Sequence, residues 1–115
     1  MVRNGWMMEN AEAAYRYASY TLKGRFIAGE PAIAQHPMWS YFYAANVIRR
    51  RFELGEPAIA QDAHYAYLYA DEILNCRFPL SEDLIILSLP FSEYYFNRFN
   101  HQFTEQEKVL WLLKI

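Results

Sequence analysis

The chain has 115 residues, with 13 acidic side chains, 11 basic side chains and one cysteine. This length predicts one domain spanning 1–115, and a net charge of −2 excludes both a strongly basic duplex-DNA binder and an extreme acidic DNA mimic. One cysteine excludes an intrachain disulfide, and no apolar run approaches the ~20 residues that span a bilayer. Charged residues interrupt the N-terminus before any apolar segment, so we expect no signal peptide and a cytoplasmic location.

A seven-residue string, Gly-Glu-Pro-Ala-Ile-Ala-Gln, stands at 29–35 and recurs unchanged at 55–61. The same offset of 26 residues (55 − 29) links many single positions. These are Tyr15, Tyr41 and Tyr67; Tyr17, Tyr43 and Tyr69; and the Arg-Phe pairs at 25–26, 51–52 and 77–78. A period between 20 and 50 residues is typical of stacked arrays. The sequence therefore predicts units at 3–28, 29–54, 55–80 and 81–104, followed by a capping helix at 105–115.

Each unit is expected to hold a short helix, a sharp corner and a long helix. Gly29 is predicted to end the preceding helix with a positive φ angle. Pro31 fits the first turn of the short helix, where its missing N–H leaves no bond unmade. A second start follows at His36-Pro37, and unit three has Asp62 there, which is a better N-cap. The long helices are predicted to run from about Pro37 to Arg51 and from about Ala63 to Arg77.

One face of the long helix recurs at spacings of three or four residues, through Tyr41, Ala44, Ile48 and Phe52. This spacing matches the 3.6-residue period of a helix with one buried face. Alanine at the contact lets neighbouring helices approach closely, and tyrosine fills the space beside it. No segment alternates with period two for long, so we predict an all-α fold. We expect a short stack of helix-pair repeats, similar to an α-solenoid.

The two outer units depart from the repeat, as expected for units with one neighbour only. Unit one has Asn4-Gly5 in place of Glu-Pro, and in unit four Tyr94–Phe96 is predicted to lie one residue out of register. Unit four is expected to start at a cap formed by Ser81-Glu82-Asp83, with a second helix from Pro90 through Phe99. Thr104-Glu-Gln-Glu107 matches a capping box. The final helix is apolar on nearly every side, so we expect it to cover the last unit.

The unit resembles a short tandem repeat of small proteins in tailed bacteriophages. That pattern runs roughly Glu-Pro-x-Ile-Ala-x-Asp-Pro-x-x-Ala-Tyr-x-Tyr-Ala-x-x-Val-Ile-x-x-Arg-Phe. Glu30–Phe52 and Glu56–Phe78 follow it closely, 9–26 follows its second half, and His36, Ser40 and Ala63 depart from it. The resemblance implies a phage or prophage source and an α-helical stack, and it brings no catalytic motif. Small phage proteins commonly block host machinery, including CRISPR and other defence complexes. The implied partner is therefore a host protein or defence complex.

Positions that differ between units point to a binding surface, because repeated positions serve the contact between repeats. Unit two carries Met38, Trp39 and Phe42 where other units are polar or mixed. Aromatic, Met and Arg side chains are enriched at interface centres. The predicted partner-binding residues are Met38, Trp39, Phe42, Asn46, Arg49, Arg50, Tyr65 and Leu68. Burial within the chain and self-association as a homo-oligomer are the alternative explanations.

Two ladders of charge also follow the repeat. They consist of Arg25, Arg51 and Arg77, and of Glu30, Glu56 and Glu82. They could clamp a phosphate or a partner, but pairing between adjacent units or bonding to helix-end carbonyls is the favoured interpretation. Arg49–Arg51 and Lys23 suggest binding of single-stranded nucleic acid as an alternative function. Nearby acidic residues oppose a continuous basic groove, so nucleic acid ranks below protein.

Nothing in the sequence indicates catalysis. His36, His64, His101 and Cys76 share no spacing typical of metal ligands. The glycines are isolated, which excludes a glycine-rich phosphate loop, and the paired carboxylates of Glu82-Asp83 fall at a helix start. We therefore expect no metal, no cofactor and no enzymatic activity. Binding and inhibition of a host protein is the leading hypothesis, ahead of nucleic-acid binding and self-association.

Overall fold

The computed structural model describes residues 10–115, and this part of the chain is all-α. The eight α-helices are α1 (Ala11–Arg16), α2 (Glu30–Ile33), α3 (Pro37–Phe42), α4 (Glu56–Ile59), α5 (Ala63–Tyr69), α6 (Pro79–Ile85), α7 (Phe91–Phe99) and α8 (Glu105–Lys114). The molecule measures 57 × 20 × 18 Å, as expected when helix pairs stack in one direction. The predicted all-α helical stack is confirmed. None of the helices in 10–115 is both long enough and apolar enough to cross a bilayer.

The long helices α1, α3 and α5 each end in a wider, π-helical turn. These turns span Tyr17–Leu22, Tyr43–Ile48 and Ala70–Leu74. Each is closed by a residue with positive φ, namely Lys23, Arg49 or Asn75. The reversal turns the next N–H back towards the helix, so that Arg50 N donates to Ala44 O at 3.2 Å. The predicted helix ends at Arg51 and Arg77 were therefore too late.

The glycines of the repeated string serve close packing and not chain reversal. Gly29 and Gly55 have φ angles of −93° and −90°, so the predicted positive φ at Gly29 was wrong. A Cβ at Gly55 would lie 2.6 Å from Ser40 Oγ and 2.7 Å from the Phe52 ring. Glycine is required here because a neighbouring helix and a ring come too close for a side chain. In unit four Ser81 holds this position, and its Oγ donates to Ala60 O at 2.9 Å.

The buried core residues stand at equivalent positions of successive units along the elongated molecule, here called the rod. Tyr41 and Ala44 are buried, which confirms the predicted tyrosine and alanine seam. In the second tyrosine series, Tyr17 is half-buried, whereas Tyr43, Tyr69 and the equivalent Tyr95 of unit four have no exposed surface. Isoleucines and phenylalanines complete the core at equivalent places. They are Ile33, Ile59 and Ile85, with Phe52 and Phe78.

Unit four keeps the repeat more closely than its sequence suggests. Tyr95 lies 26 residues after Tyr69 and makes the same hydrogen bonds, so the predicted slip of Tyr94–Phe96 was wrong. Its first helix begins at Pro79 and not after a Ser81 cap, because proline takes the first helical turn. Helix α7 ends at Phe99, as predicted. The start of unit one, including Asn4-Gly5, lies outside the described residues.

Helix α8 covers the last unit. Thr104 and Glu107 form the predicted capping box, in which each side chain bonds the other residue's backbone N–H. The Trp111 ring stacks on Tyr95 at 5.3 Å between centroids. Its Nε1 donates to Ser92 O at 3.0 Å. The capping role predicted for this helix is confirmed.

Candidate protein-binding surface

Each junction between successive units is held by one arginine, one glutamate and one tyrosine, here named the junction triad. At the second junction, Arg51 Nε and Nη2 donate to Glu56 Oε2 and Oε1 at 2.6 and 3.0 Å. Tyr69 Oη donates to Glu56 Oε2 at 2.6 Å and accepts from Phe52 N at 2.9 Å. The same bonds recur at the other junctions, in Arg25–Glu30–Tyr43 and in Arg77–Glu82–Tyr95.

The junction triads explain both charge ladders. Each arginine belongs to one unit and its glutamate to the next, so the favoured interpretation, pairing between adjacent units, is confirmed. Burial, reinforced by the hydrogen bond to Glu56, raises the pKa of Tyr69 above its usual range. The tyrosine therefore stays protonated and remains a hydrogen-bond donor to the buried carboxylate. At the second junction Glu56 and Tyr69 are buried and bonded within the triad, and Arg51 is the member that reaches the surface.

The third junction carries an additional carboxylate from the capping helix. Glu107 contacts Arg77 with Oε2 at 2.9 Å from Nη2 and Oε1 at 3.0 Å from Nη1. The bonds from Arg77, followed by the backbone N–H of Thr104, lower the pKa of Glu107 to about 2. The guanidinium of Arg77 also lies 4.2 Å from the centroid of the Phe103 ring. The cap is thus linked to the same arginine that closes the last repeat.

A connected row of aromatic rings runs along the long helices. Ring centroids lie 5.3 Å apart for Tyr15 and Trp39, 5.9 Å for Trp39 and Phe42, and 6.2 Å for Phe42 and Tyr65. Five predicted partner-binding residues are half-buried beside or within this row. They are Met38, Trp39, Phe42, Tyr65 and Leu68. Their inner atoms therefore stabilise the rod, and only their outer edges are open to a partner.

The polar members of the predicted surface are exposed. Asn46 Nδ2 donates to Tyr15 Oη at 3.1 Å, which places the amide beside the Tyr15 hydroxyl. Arg49 and Arg50 form no salt bridge with any residue of 10–115. One unit further along, Tyr41 Oη donates to Glu72 Oε1 at 2.7 Å. The position equivalent to Asn46 is thus acidic between units two and three.

Two adjoining clefts bring part of the predicted surface together between the long helices of units one and two. The first, of about 280 Å³, is lined by Tyr15, Arg16, Tyr20, Trp39, Phe42 and Asn46. The second, of about 370 Å³, is lined by Ala18, Ser19, Lys23, Gly24, Asn46, Val47 and Arg49. Asn46 lines both clefts, which therefore adjoin at this side chain, and the two together are here named the first groove. Arg50 lines a different cleft, and Tyr65 and Leu68 lie further along the rod.

Some exposed apolar residues were missed by the predicted surface. Tyr20 is 64% exposed at the edge of the first groove. At the other end of the rod, Leu87 and Leu113 are 74% and 77% exposed. Comparison in register would have found Leu87, because units two and three have glutamine there, at Gln35 and Gln61.

The metal-ligating residue types are dispersed in the described part of the chain. Within 10–115, no three His, Cys, Asp or Glu side chains are placed to hold a metal ion. His64 stacks on the Phe91 ring at 5.1 Å between centroids, and Cys76 is exposed.

Comparison with known proteins adds no relative: no family model, no curated protein and no solved structure matches this chain.

Proposed function

We propose that this chain is a protein-binding helical-repeat module that inhibits a host protein complex, in the host cytoplasm. An anti-defence role, of the anti-CRISPR kind, is the leading case, and it rests on the resemblance to phage repeat proteins. The observation that carries the binding role is the first groove. It is open and lined by aromatic and basic side chains, whereas the carboxylates of the junction triads are already bonded within the fold.

The first groove has the composition of an interface centre. Tyrosine, tryptophan and arginine dominate the binding energy of protein interfaces, and a few such residues often contribute most of it. The rings of Tyr15, Trp39 and Phe42 are already packed against one another, so binding would freeze little additional motion. Groups held in place before binding lose less entropy when a partner arrives. The protein would inhibit by occupying a surface, without chemistry of its own.

The repeat itself supplies a variant that changes this surface and keeps the helix. Unit one has Glu12 and Arg16 at the positions of Met38 and Phe42, and these two form an exposed salt bridge at 2.9 Å. Met38→Glu with Phe42→Arg should recreate that pair in unit two. We expect the double variant to remain helical by circular dichroism and to lose partner capture and inhibition. Losing an aromatic contact at an interface centre reduces affinity by roughly 30-fold or more.

The matched control is Leu54→Ala, which gives an exposed position of unit two the residue of unit one, Ala28. This change should leave capture intact. The measurements are pull-down from host lysate with mass spectrometry, and plaque formation by a defence-sensitive phage in cells that express each variant. Unchanged capture and protection by the folded double variant would contradict the proposed surface.

Binding of single-stranded nucleic acid is the second candidate, favoured by Lys23, Arg49 and Arg50, which form no salt bridge with any described residue. Each phosphate that a protein neutralises releases a counterion, so affinity for nucleic acid falls steeply with salt. A gel shift with single-stranded RNA and DNA at two salt concentrations tests this. Binding that is strong and salt-dependent would favour nucleic acid over protein.

Self-association is the third candidate, favoured by the exposed leucines at the C-terminal end of the rod. Leu80, Leu87, Leu89, Leu110, Leu112 and Leu113 are each more than half exposed. Exposed apolar clusters mark interaction surfaces in soluble proteins. Light scattering against protein concentration would reveal a homo-oligomer as a rise in molar mass.

A further inference from the structure

We propose that the first groove accepts an acidic protein segment, with an apolar side chain among the aromatic rings and carboxylates at Lys23 and Arg49. This inference rests on the proposed protein-binding function and names the chemistry of the partner. The groove has an aromatic part and a basic part. Tyr15, Tyr20, Trp39 and Phe42 line one part, and Lys23 and Arg49 line the other.

The charge of the groove favours an acidic partner. The basic part is lined by Lys23 and Arg49 and by no acidic side chain. In the aromatic part, Arg16 is already paired with Glu12 at 2.9 Å. The surroundings are basic as well, because residues 10–54 carry six Lys or Arg and three Asp or Glu. Residues 55–115 carry four and nine. Opposite potentials across an interface guide encounter and select the partner.

The backbone supplies a second, independent observation. Lys23 and Arg49 both have a φ angle of 54°, in the left-handed region. Non-glycine residues other than Asn and Asp are uncommon there, because the side chain crowds the backbone. The third residue of this series, Asn75, is of the type that tolerates the region well. Units one and two thus keep basic side chains where asparagine would fit more easily, and those two residues line the groove.

The repeat also shows why a nucleic-acid strand fits less well. A strand that followed the rod beyond unit two would meet the equivalent positions of the next unit, where Glu72 replaces Asn46 and Asn75 replaces Arg49. Asp71 precedes Glu72 in the chain, and Arg98 is the only basic residue within 10–115 that forms a salt bridge with Asp71. Along the face of the long helices, the basic lining is therefore confined to the first groove. A short acidic segment matches that length, whereas a continuous phosphate backbone does not.

The experiment selects ligands from a displayed library of short random peptides against the whole chain. We expect enriched peptides to combine an aromatic or leucine residue with nearby Asp or Glu. Two-dimensional NMR should then show the largest shifts at the amides of Lys23, Asn46 and Arg49. Lys23→Asn with Arg49→Asn removes both charges and places asparagine at both positive φ angles, so this variant should fold. It should weaken the selected peptides about tenfold, the effect of losing two ion pairs.

The matched control is Lys108→Gln with Lys114→Gln, which removes the same charge from helix α8 and should leave peptide affinity unchanged. Enriched peptides that are basic or uncharged would overturn the inference, as would equal weakening by both variants or the absence of any enrichment. Tighter, steeply salt-dependent binding of a single-stranded oligothymidylate would replace the peptide with nucleic acid. Uncharged peptides that still map to the groove would overturn the acidic partner and leave protein binding standing. Failure of the whole chain to capture any host protein would instead contradict the proposed function, and capture unaffected by Met38→Glu with Phe42→Arg would contradict the proposed surface.

Discussion

The junction triads and the face of the long helices follow the same 26-residue period and use it in opposite ways. At the junctions, the same three residue types recur with nearly the same distances. On the long-helix face, a single position is held in turn by Arg16, Phe42, Leu68 and Tyr94. Constant residues here bind one another, so a change at one would leave its partners without hydrogen bonds. Residues whose side chains reach the outside can differ from unit to unit.

The contrast predicts that junction residues matter for folding far more than face residues do. Glu56 is buried and accepts bonds from Arg51 Nε, Arg51 Nη2 and Tyr69 Oη. A buried carboxylate is stable in a protein only when such partners compensate for its lost hydration. Because Arg51 is more than half exposed, water can replace its share of the bonds. The hydroxyl of Tyr69, which is fully buried, has no such replacement.

The largest effect is expected for Glu56→Ala. It removes the acceptor of a buried hydroxyl and leaves a gap beside it, so the free energy of unfolding should fall by about 2–3 kcal/mol. The midpoint of thermal unfolding should fall by about 10 °C. Circular dichroism during heating and in urea measures both. Glu56→Gln keeps an acceptor for Tyr69 and should lose less.

Glu53→Ala is the control for this prediction. Glu53 is exposed on the same segment and forms no salt bridge within the described residues. Its removal should change stability by less than about 0.5 kcal/mol. Equal effects of the two alanines would mean that the junction triad contributes nothing specific.

The next largest effect concerns the close contact under the repeated string. Gly55→Ser should destabilise the fold by about 1–2 kcal/mol, because its Cβ would press on Ser40 Oγ and the Phe52 ring. At the next junction the two residue types are exchanged: Ser81 stands at the position equivalent to Gly55, and Ala66 stands at the position equivalent to Ser40. Adding Ser40→Ala to Gly55→Ser should therefore recover part of the loss. A double-mutant cycle in urea measures this coupling, and purely additive effects would contradict the proposed exchange.

Sequence reasoning succeeded where a single physical cause acts along the chain. The 26-residue period, the prolines at 31 and 37 and the capping box at Thr104 each specify a local geometry, and the helices follow them. It failed where the cause was tertiary. The glycine of the string has two possible roles in a sequence, chain reversal or close approach. Only the position of Ser40 against Gly55 decides between them.

The junction triad shows the same limit for the site. The arginine and glutamate ladders were visible in the sequence, and pairing between adjacent units was one of the two structural explanations favoured there. The third member was not recognised, because Tyr69 lies 13 residues from Glu56 and is brought there by the turn between the helices. For the first groove, the sequence indicated Trp39, Phe42 and Asn46. It could not show that Trp39 and Phe42 are half-buried in the rod.

The smallest effect is expected at the residues with positive φ, and it separates stability from binding. Arg49→Asn relieves crowding at a φ angle of 54° but loses the attraction of a cation to the carbonyl end of its helix. These two contributions nearly cancel at low salt, so stability should change little there. In high salt the attraction is screened, and the variant should gain about 0.5 kcal/mol. Asn75→Arg should lose the same amount at high salt, and Arg50→Asn, which has no positive φ to relieve, should show no gain there. If Arg49→Asn instead lowers stability at high salt, the arginine makes contacts that hold the fold. If stability at high salt does not fall and peptide affinity does, the side chain of Arg49 contributes to binding and not to the stability of the fold.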